Sequence, residues 1–165
     1  MSGRYVHVTY CDDIRQEVGN KRSLIGVYTR DLFVQAIPVT LPKLGLVVSV
    51  LTPIDQPFLK LSLRVQQGAS VLISTDDLVA GFQSISESPL DDIDRESDGQ
   101  PAARSLICNI EILLAPFRID AEHNIRVIAT TEDGELRGRA LRVRLAKNFG
   151  IGNPEVAPKS DKAAG

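Results

Sequence analysis

Two neighbouring aspartates, Asp12 and Asp13, are the first residues of the chain whose type could support chemistry. They follow a segment rich in β-branched and aromatic residues, so we expect them in a loop at the end of a strand. Ca²⁺ takes oxygen ligands from loop carboxylates, and Asp133 or the pair Asp76 and Asp77 could complete a cation site at the same end. Alternatively, one aspartate caps a turn by accepting backbone hydrogen bonds. Because the spaced ligands of a calcium loop are missing, the sequence favours turn capping.

The histidines and cysteines match no catalytic or metal-binding motif. His7 and Cys11 share strand parity and could face one metal ion with Asp13, but their spacing fits no zinc signature. A nucleophile pair of Cys11 and His123 would require the fold to bring them together. We therefore expect His7 to be a half-buried strand residue, and Cys11 and Cys108 to be small core residues with free thiols.

No nucleophile elbow, phosphate loop or dinucleotide fingerprint occurs in the 165 residues. The sequence therefore predicts no catalytic residue and no cofactor, and a hydrolase that uses Cys11 or a carboxylate pair is only the third hypothesis for function.

A basic stripe near the C-terminus offers the best candidates for partner binding. It consists of alternating arginines, followed by Lys147, and could meet an acidic protein or a phosphate backbone. Aromatic residues that would stack on bases are not interleaved with it, so nucleic acid is not the expected partner. Alternatively, the stripe is a solvated strand face that discourages edge-to-edge pairing. The candidate residues are Arg137, Arg139, Arg142 and Arg144.

The bulk composition describes an ordinary globular chain. Hydrophobic residues make up 43%, and 19 basic against 21 acidic residues leave a net charge of −2, which gives no long-range attraction to nucleic acid or anionic membranes. The N-terminus lacks the apolar stretch of a signal peptide, and no apolar run approaches the ~20 residues that span a bilayer. Two cysteines are too few for a disulfide scaffold. These features predict a cytoplasmic protein without a membrane span.

Alternation of apolar and polar residues predicts β-strands along most of the chain. Residues 59–66 show the pattern most clearly, with apolar side chains at odd positions. Residues 44–51 are nearly all apolar, which is typical of a central strand covered on both faces. Further strands are predicted at 5–10, 23–28, 32–37, 69–74, 105–116, 125–131 and 136–146.

The apolar parity changes within the last strand, from even positions up to Ala140 to odd positions from Leu141 onward. A β-bulge between these two residues would turn both apolar sets inward. Residues 75–85 read as a short helix capped by Thr75 or as an irregular strand. The acidic residues of 86–103 predict a mobile loop, whose Asp91–Asp98 segment could pair with the basic stripe in the same or another subunit.

These patterns predict an all-β fold, an antiparallel β-sandwich of immunoglobulin-like architecture with about 7–9 strands and at most one short helix. The domain would span residues 1–149, with a flexible tail at 150–165. The chain has no Trp, so the Cys–Trp–Cys hallmark of antibody domains is missing and the likeness would be architectural only.

The segment Cys11-Asp12-Asp13, followed by Lys21 and by Ser23-Leu24-Ile25-Gly26, resembles the N-terminal signature of an uncharacterised bacterial domain family. The connection from Pro38 to Pro42 and the hairpin around Asp133-Gly134 are also similar. The resemblance extends over most of Tyr5 to Leu145, and only its first part is specific. It implies a fold and no activity.

The leading functional hypothesis is a non-enzymatic binding or assembly module that meets a protein partner or a second copy of itself through loops or an exposed strand edge. The alternative is a sandwich that binds calcium or another cation through Asp12 and Asp13.

Overall fold

A computed structural model of the chain describes residues 3–19, 21–79 and 105–146. These residues form thirteen β-strands and no helix, so the predicted all-β class is confirmed. The structure has four strands more than the upper predicted number of nine. Three of them, β2, β5 and β10, were not predicted, and the last predicted strand is divided into β12 and β13. The strands are β1 (Tyr5–Cys11), β2 (Asp13–Glu17), β3 (Lys21–Ile25), β4 (Asp31–Val34), β5 (Val39–Leu41), β6 (Leu44–Pro53), β7 (Leu61–Gln67), β8 (Ser70–Ser74), β9 (Ser105–Leu114), β10 (Phe117–Ile119), β11 (Asn124–Thr131), β12 (Gly134–Arg137) and β13 (Leu141–Leu145).

Two main sheets enclose the core. The smaller sheet has the antiparallel order β1-β6-β9, and the larger has the order β4-β13-β11-β7-β8, with β12 also paired to β11. All neighbours in the larger sheet are antiparallel except β13 and β4, which are parallel. Two-stranded pairs are formed by β2 with β3 and by β5 with β10.

Alternate side chains from both main sheets interdigitate in one apolar cluster, as a two-layer sandwich requires. From the smaller sheet come Tyr10, Val48 and Val50, and from the larger come Val65 and Val127, all of them buried. The Tyr10 hydroxyl joins the layers by donating to the Arg139 carbonyl at 2.9 Å, with the Ile125 carbonyl 3.2 Å from the same oxygen. Burial raises the pKa of Tyr10, so the phenol stays protonated as a donor.

The apolar strand β6 is covered on both faces, as its composition predicts. Its even residues face the core, and Val47 on the opposite face is also buried. The β2–β3 hairpin covers that outer face: a Cβ added at Gly45 would lie 2.9 Å from Ile14 and 3.0 Å from Cys11 Sγ. Close approach of the hairpin therefore explains the glycine at position 45.

The predicted bulge is present between β12 and β13. Ile128 pairs with Arg137, but Ile125 pairs with Leu141, so three residues of one strand oppose two of the other. The buried set changes accordingly from Gly138 to Leu141 and Val143. One extra residue thus restores an inward apolar face on both sides of the bulge.

The segment after β8 continues the pairing with β7 instead of starting a helix at Thr75. The Thr75 hydroxyl accepts the Leu63 N–H at 2.9 Å, and Asp77 Oδ1 accepts the Leu61 N–H at 3.1 Å. These side-chain oxygens supply acceptors to an otherwise open strand edge. The rest of the predicted helix, residues 80–85, lies outside the described residues, as do the predicted mobile loop 86–103 and the predicted tail 150–165.

Arg4 anchors the start of β1 to two turns, and its side chain is 4% exposed. The guanidinium pairs with Glu132 at 2.6 Å and Asp133 at 2.8 Å, and it donates to Thr52 Oγ1 at 3.0 Å. It also lies 5.0 Å from the centre of the Phe58 ring. The N–H groups of the guanidinium thus have acceptors, and one of its faces lies over an aromatic ring. The charge can therefore be buried.

Within the described ranges, no helix has the length and apolarity needed to cross a lipid bilayer.

Candidate anion-binding groove

The outer face of the larger sheet is polar because of strand alternation. Strands β7 and β11 turn their odd residues into the core, and residues such as Leu63 and Val127 are fully or almost fully buried. Their even residues therefore face outward, where Arg64 and Arg126 are only partly buried. Pairing β7, β11 and β12 side by side gathers these outward positions on one surface.

An open groove of about 640 Å³ lies on this surface. The lining found among the described residues contains three guanidinium groups and no carboxylate. The lining residues are Arg64, Gln66, Gly68, His123, Asn124, Arg126, Ile128 and Arg137.

Strand register places the cationic groups in rows across the groove. Ile128 of β11 is flanked by Arg64 of β7 and Arg137 of β12. Ile128 is 3% exposed although it points outward, which is the effect of long arginine side chains covering an apolar neighbour. Two residues along β11, Arg126 is paired with Gln66.

One carboxylate at the edge of the groove partly neutralises the first row. Glu135 Oε1 accepts from Arg64 Nη2 at 2.5 Å, and its Oε2 lies 3.5 Å from Arg137 Nη2. These arginines hold the pKa of Glu135 below its usual value, Arg64 having the largest effect. Within the described ranges, Arg126 has no ion-pair partner, so the groove keeps an excess of positive charge.

Two polar atoms in the groove wall are enclosed and have no hydrogen-bond partner in the described structure, namely Arg64 Nε and His123 Nε2. An unsatisfied buried polar atom costs about 1–3 kcal/mol. Desolvation lowers the pKa of His123, against the opposing effects of a backbone hydrogen bond at Ala121 and the charge of Asp120. The ring is therefore uncharged near neutral pH. Its other nitrogen then donates to the Ala121 carbonyl, so Nε2 is an acceptor and can donate to an anion only after the ring takes up a proton.

The four arginines that the sequence singled out lie at different places in the structure. Arg137 lines the groove. Arg142 is held in a two-pronged ion pair with Asp31, at 2.6 and 2.8 Å, and Arg144 faces outward from the same strand. Arg139 lines a second cavity of about 250 Å³, together with Tyr28 and other residues of β1 and the loop after β3.

Sequence reasoning did not identify Arg64 or Arg126 as site residues, and it considered His123 only as a partner of Cys11. The polar positions of β7 and β11 were visible in the sequence as alternation, but not their adjacency. Strand pairing shows that three separate segments share one surface. Arg126 is paired with Gln66, and Ile128 is paired with both Arg64 and Arg137.

Asp12 and Asp13 occupy a junction between β1 and the β2–β3 hairpin and are engaged by protein groups. Asp12 accepts a hydrogen bond from the Tyr28 hydroxyl, and its N–H donates to the Ile25 carbonyl at 2.9 Å. Asp13 pairs with Lys43 and with Arg15, which lower the pKa of Asp13. A cluster of three metal-ligating side chains does not occur within the described ranges.

The other carboxylates considered for a cation site lie elsewhere. Asp133 pairs with Arg4 at the start of β1, whereas Asp13 begins the strand that follows β1. Asp77 accepts the N–H groups of Leu61 and Val79. The fold therefore does not bring either of them to the Asp12–Asp13 junction.

Both cysteine thiols are buried and free. Cys11 is fully enclosed beneath the β2–β3 hairpin, and its Sγ lies 3.7 Å from the Gly45 carbonyl. Burial raises the pKa of both thiols, that of Cys108 to about 12. His123 lies beside Gly68 on the larger sheet, so the structure does not bring Cys11 and His123 together as a nucleophile pair.

Comparison with known proteins shows no match to a protein-family model, a curated protein or a solved structure.

Proposed function

We propose that this protein is a non-enzymatic binding module that holds an acidic segment of a protein partner in the arginine groove. The observation that carries the proposal is the lining itself, in which Arg64, Arg126 and Arg137 stand together without a lining carboxylate. Arginine suits this task because its guanidinium is always charged and can donate two parallel hydrogen bonds to a carboxylate.

A protein partner is favoured over nucleic acid by the other lining residues. The described lining contains no Phe, Tyr or Trp, whereas single-stranded nucleic acids are usually held by bases stacked on such aromatic rings. The net charge of −2 also provides no general attraction to a polyanion, so recognition would depend on the local groove.

A binding role is favoured over hydrolysis by the state of the thiols. A cysteine nucleophile acts as a thiolate, but burial raises the pKa of both Cys11 and Cys108. The same buried, unpaired thiols are consistent with a reducing cytoplasmic location, which is part of this proposal.

The test uses a labelled twelve-residue peptide in which glutamate and threonine alternate, with binding followed by fluorescence anisotropy at low and moderate salt. We expect Arg126→Gln to weaken binding about fivefold, because one charge contact is worth about 1 kcal/mol. The matched control is Arg118→Gln, which makes the same charge change at a site 68% exposed on β10 and should leave the affinity unchanged.

Equal binding by the two variants would overturn the groove as the site, and absence of saturable binding to the peptide would overturn the proposed function. An oligothymidine of the same length serves as the competing arm. Tighter binding of that oligonucleotide, with the same loss in Arg126→Gln, would identify nucleic acid as the partner instead.

A further inference from the structure

The polar groups of the groove repeat along β11 at the spacing of a strand. Asn124, Arg126 and Ile128 point outward at alternate positions, and at each position a side chain, its own or a neighbour's, can donate hydrogen bonds. Ile128 has Arg64 and Arg137 beside it, Arg126 has Gln66, and Asn124 is next to His123. Alternate residues of a strand are separated by about 6.6–6.8 Å, so the groove presents three donor positions at this interval.

From this repeat we infer that the groove binds an extended peptide whose acidic side chains lie at alternate positions. The inference rests on the proposed function and specifies its ligand. An extended chain has the same interval between residues i and i+2 as β11 itself, so successive carboxylates can face the Arg64–Arg137 row, Arg126 and the Asn124–His123 end in turn. The intervening side chains point away from the groove, where their identity matters little.

The local contacts indicate three separate positions for a ligand carboxylate and not a single cluster of donors. At the first, Arg64 and Arg137 share Glu135, so a ligand carboxylate would take the guanidinium N–H groups that this glutamate leaves over. At the second, Arg126 is partly exposed and has no ion-pair partner in the described residues. At the third, the exposed Asn124 follows His123 in the lining, and its side-chain amide can donate to a carboxylate.

The experiment compares two peptides of identical composition, length and charge. In one, glutamate and threonine alternate, and in the other, two glutamates are followed by two threonines throughout. Only the alternating peptide can place an acidic side chain at every donor position on one face of an extended chain. We expect it to bind about fivefold to tenfold more tightly to the native protein, because the other peptide lacks at least one of the charge contacts.

The preference should shrink in Arg126→Gln, because the middle position is lost, and should persist in Arg118→Gln. Equal affinities of the two peptides for the native protein would overturn the inferred spacing while leaving the proposed function intact. A preference retained in full by Arg126→Gln would also overturn it, because the discrimination would then arise outside the groove. Failure of both peptides to bind would count against the proposed function itself.

Discussion

Among the described residues that line the groove, His123 is the side chain whose type can change charge at mildly acidic pH. Desolvation lowers its pKa from the ordinary value of 6.5, so the empty groove favours the uncharged ring. An anion bound beside Nε2 would favour the protonated ring instead. Linkage then requires the affinity for an anion to rise as the pH falls and the ring takes up a proton in the bound state.

We predict that the alternating acidic peptide binds about twofold to fivefold more tightly at about pH 5.5 than at about pH 7.5, since its glutamates remain ionised with pKa values of about 4.3. His123→Gln should remove this pH dependence. The matched control is His7→Gln, because His7 is the other of the two histidines and lies exposed on the smaller sheet. Anisotropy titrations at each pH decide the outcome, and an unchanged pH dependence in His123→Gln would contradict the prediction.

At the level of elements, the bulge between β12 and β13 allows one strand to contribute to both the core and the groove. It lets Arg137 face outward beside Ile128 while Leu141 and Val143 still face the core. The segment between β12 and β13 comes close to β1. A Cβ at Gly138 would lie 2.6 Å from Val8 Cγ2 and 3.2 Å from the Val127 carbonyl oxygen. Glycine is therefore needed for packing between the sheets.

Gly138→Ala should lower the free energy of unfolding by about 1–3 kcal/mol, the usual cost of overpacking a core. The measurement is urea denaturation followed by circular dichroism. A double-mutant cycle supplies the control, because Val8→Ala removes the closest clashing methyl group and should reduce the cost of Gly138→Ala. Additive effects of the two substitutions would show that the contact with Val8 is not the cause.

For the molecule as a whole, paired carboxylates connect segments that are distant in sequence. The pKa values of Asp31, Asp77, Glu132 and Glu135 all lie below their usual values. Arg142 is the main cause for Asp31, and backbone N–H groups of Val79 and Leu61 are the main cause for Asp77. For Glu132, burial acts in the opposite direction but is outweighed by backbone hydrogen bonds and Arg4.

A carboxyl group with a lowered pKa in the folded state stabilises the fold above its unfolded pKa, and this contribution is lost as the pH falls through the folded value. The contribution of these carboxyl groups to the free energy of unfolding should therefore be constant above about pH 5 and decrease below about pH 4.5. Urea titrations across this range measure it. Asp31→Asn should flatten the decrease, whereas the control Asp55→Asn, at an exposed position, should not. Equal slopes in the two variants would contradict the role given to Asp31.

The sequence alone determined the class of fold, the central position of β6 and the bulge after Arg137, because strand alternation is a local property that burial imposes on neighbouring residues. It also identified Arg137 as a binding candidate. The groove, the Arg4 cluster and the partners of Asp12 and Asp13 were decided only by the tertiary structure. Each of them joins residues from separate segments, such as Arg64 and Arg126 on paired strands or Arg4 with Glu132. Strand alternation tells which side chains face outward, but strand order and register decide which of them become neighbours.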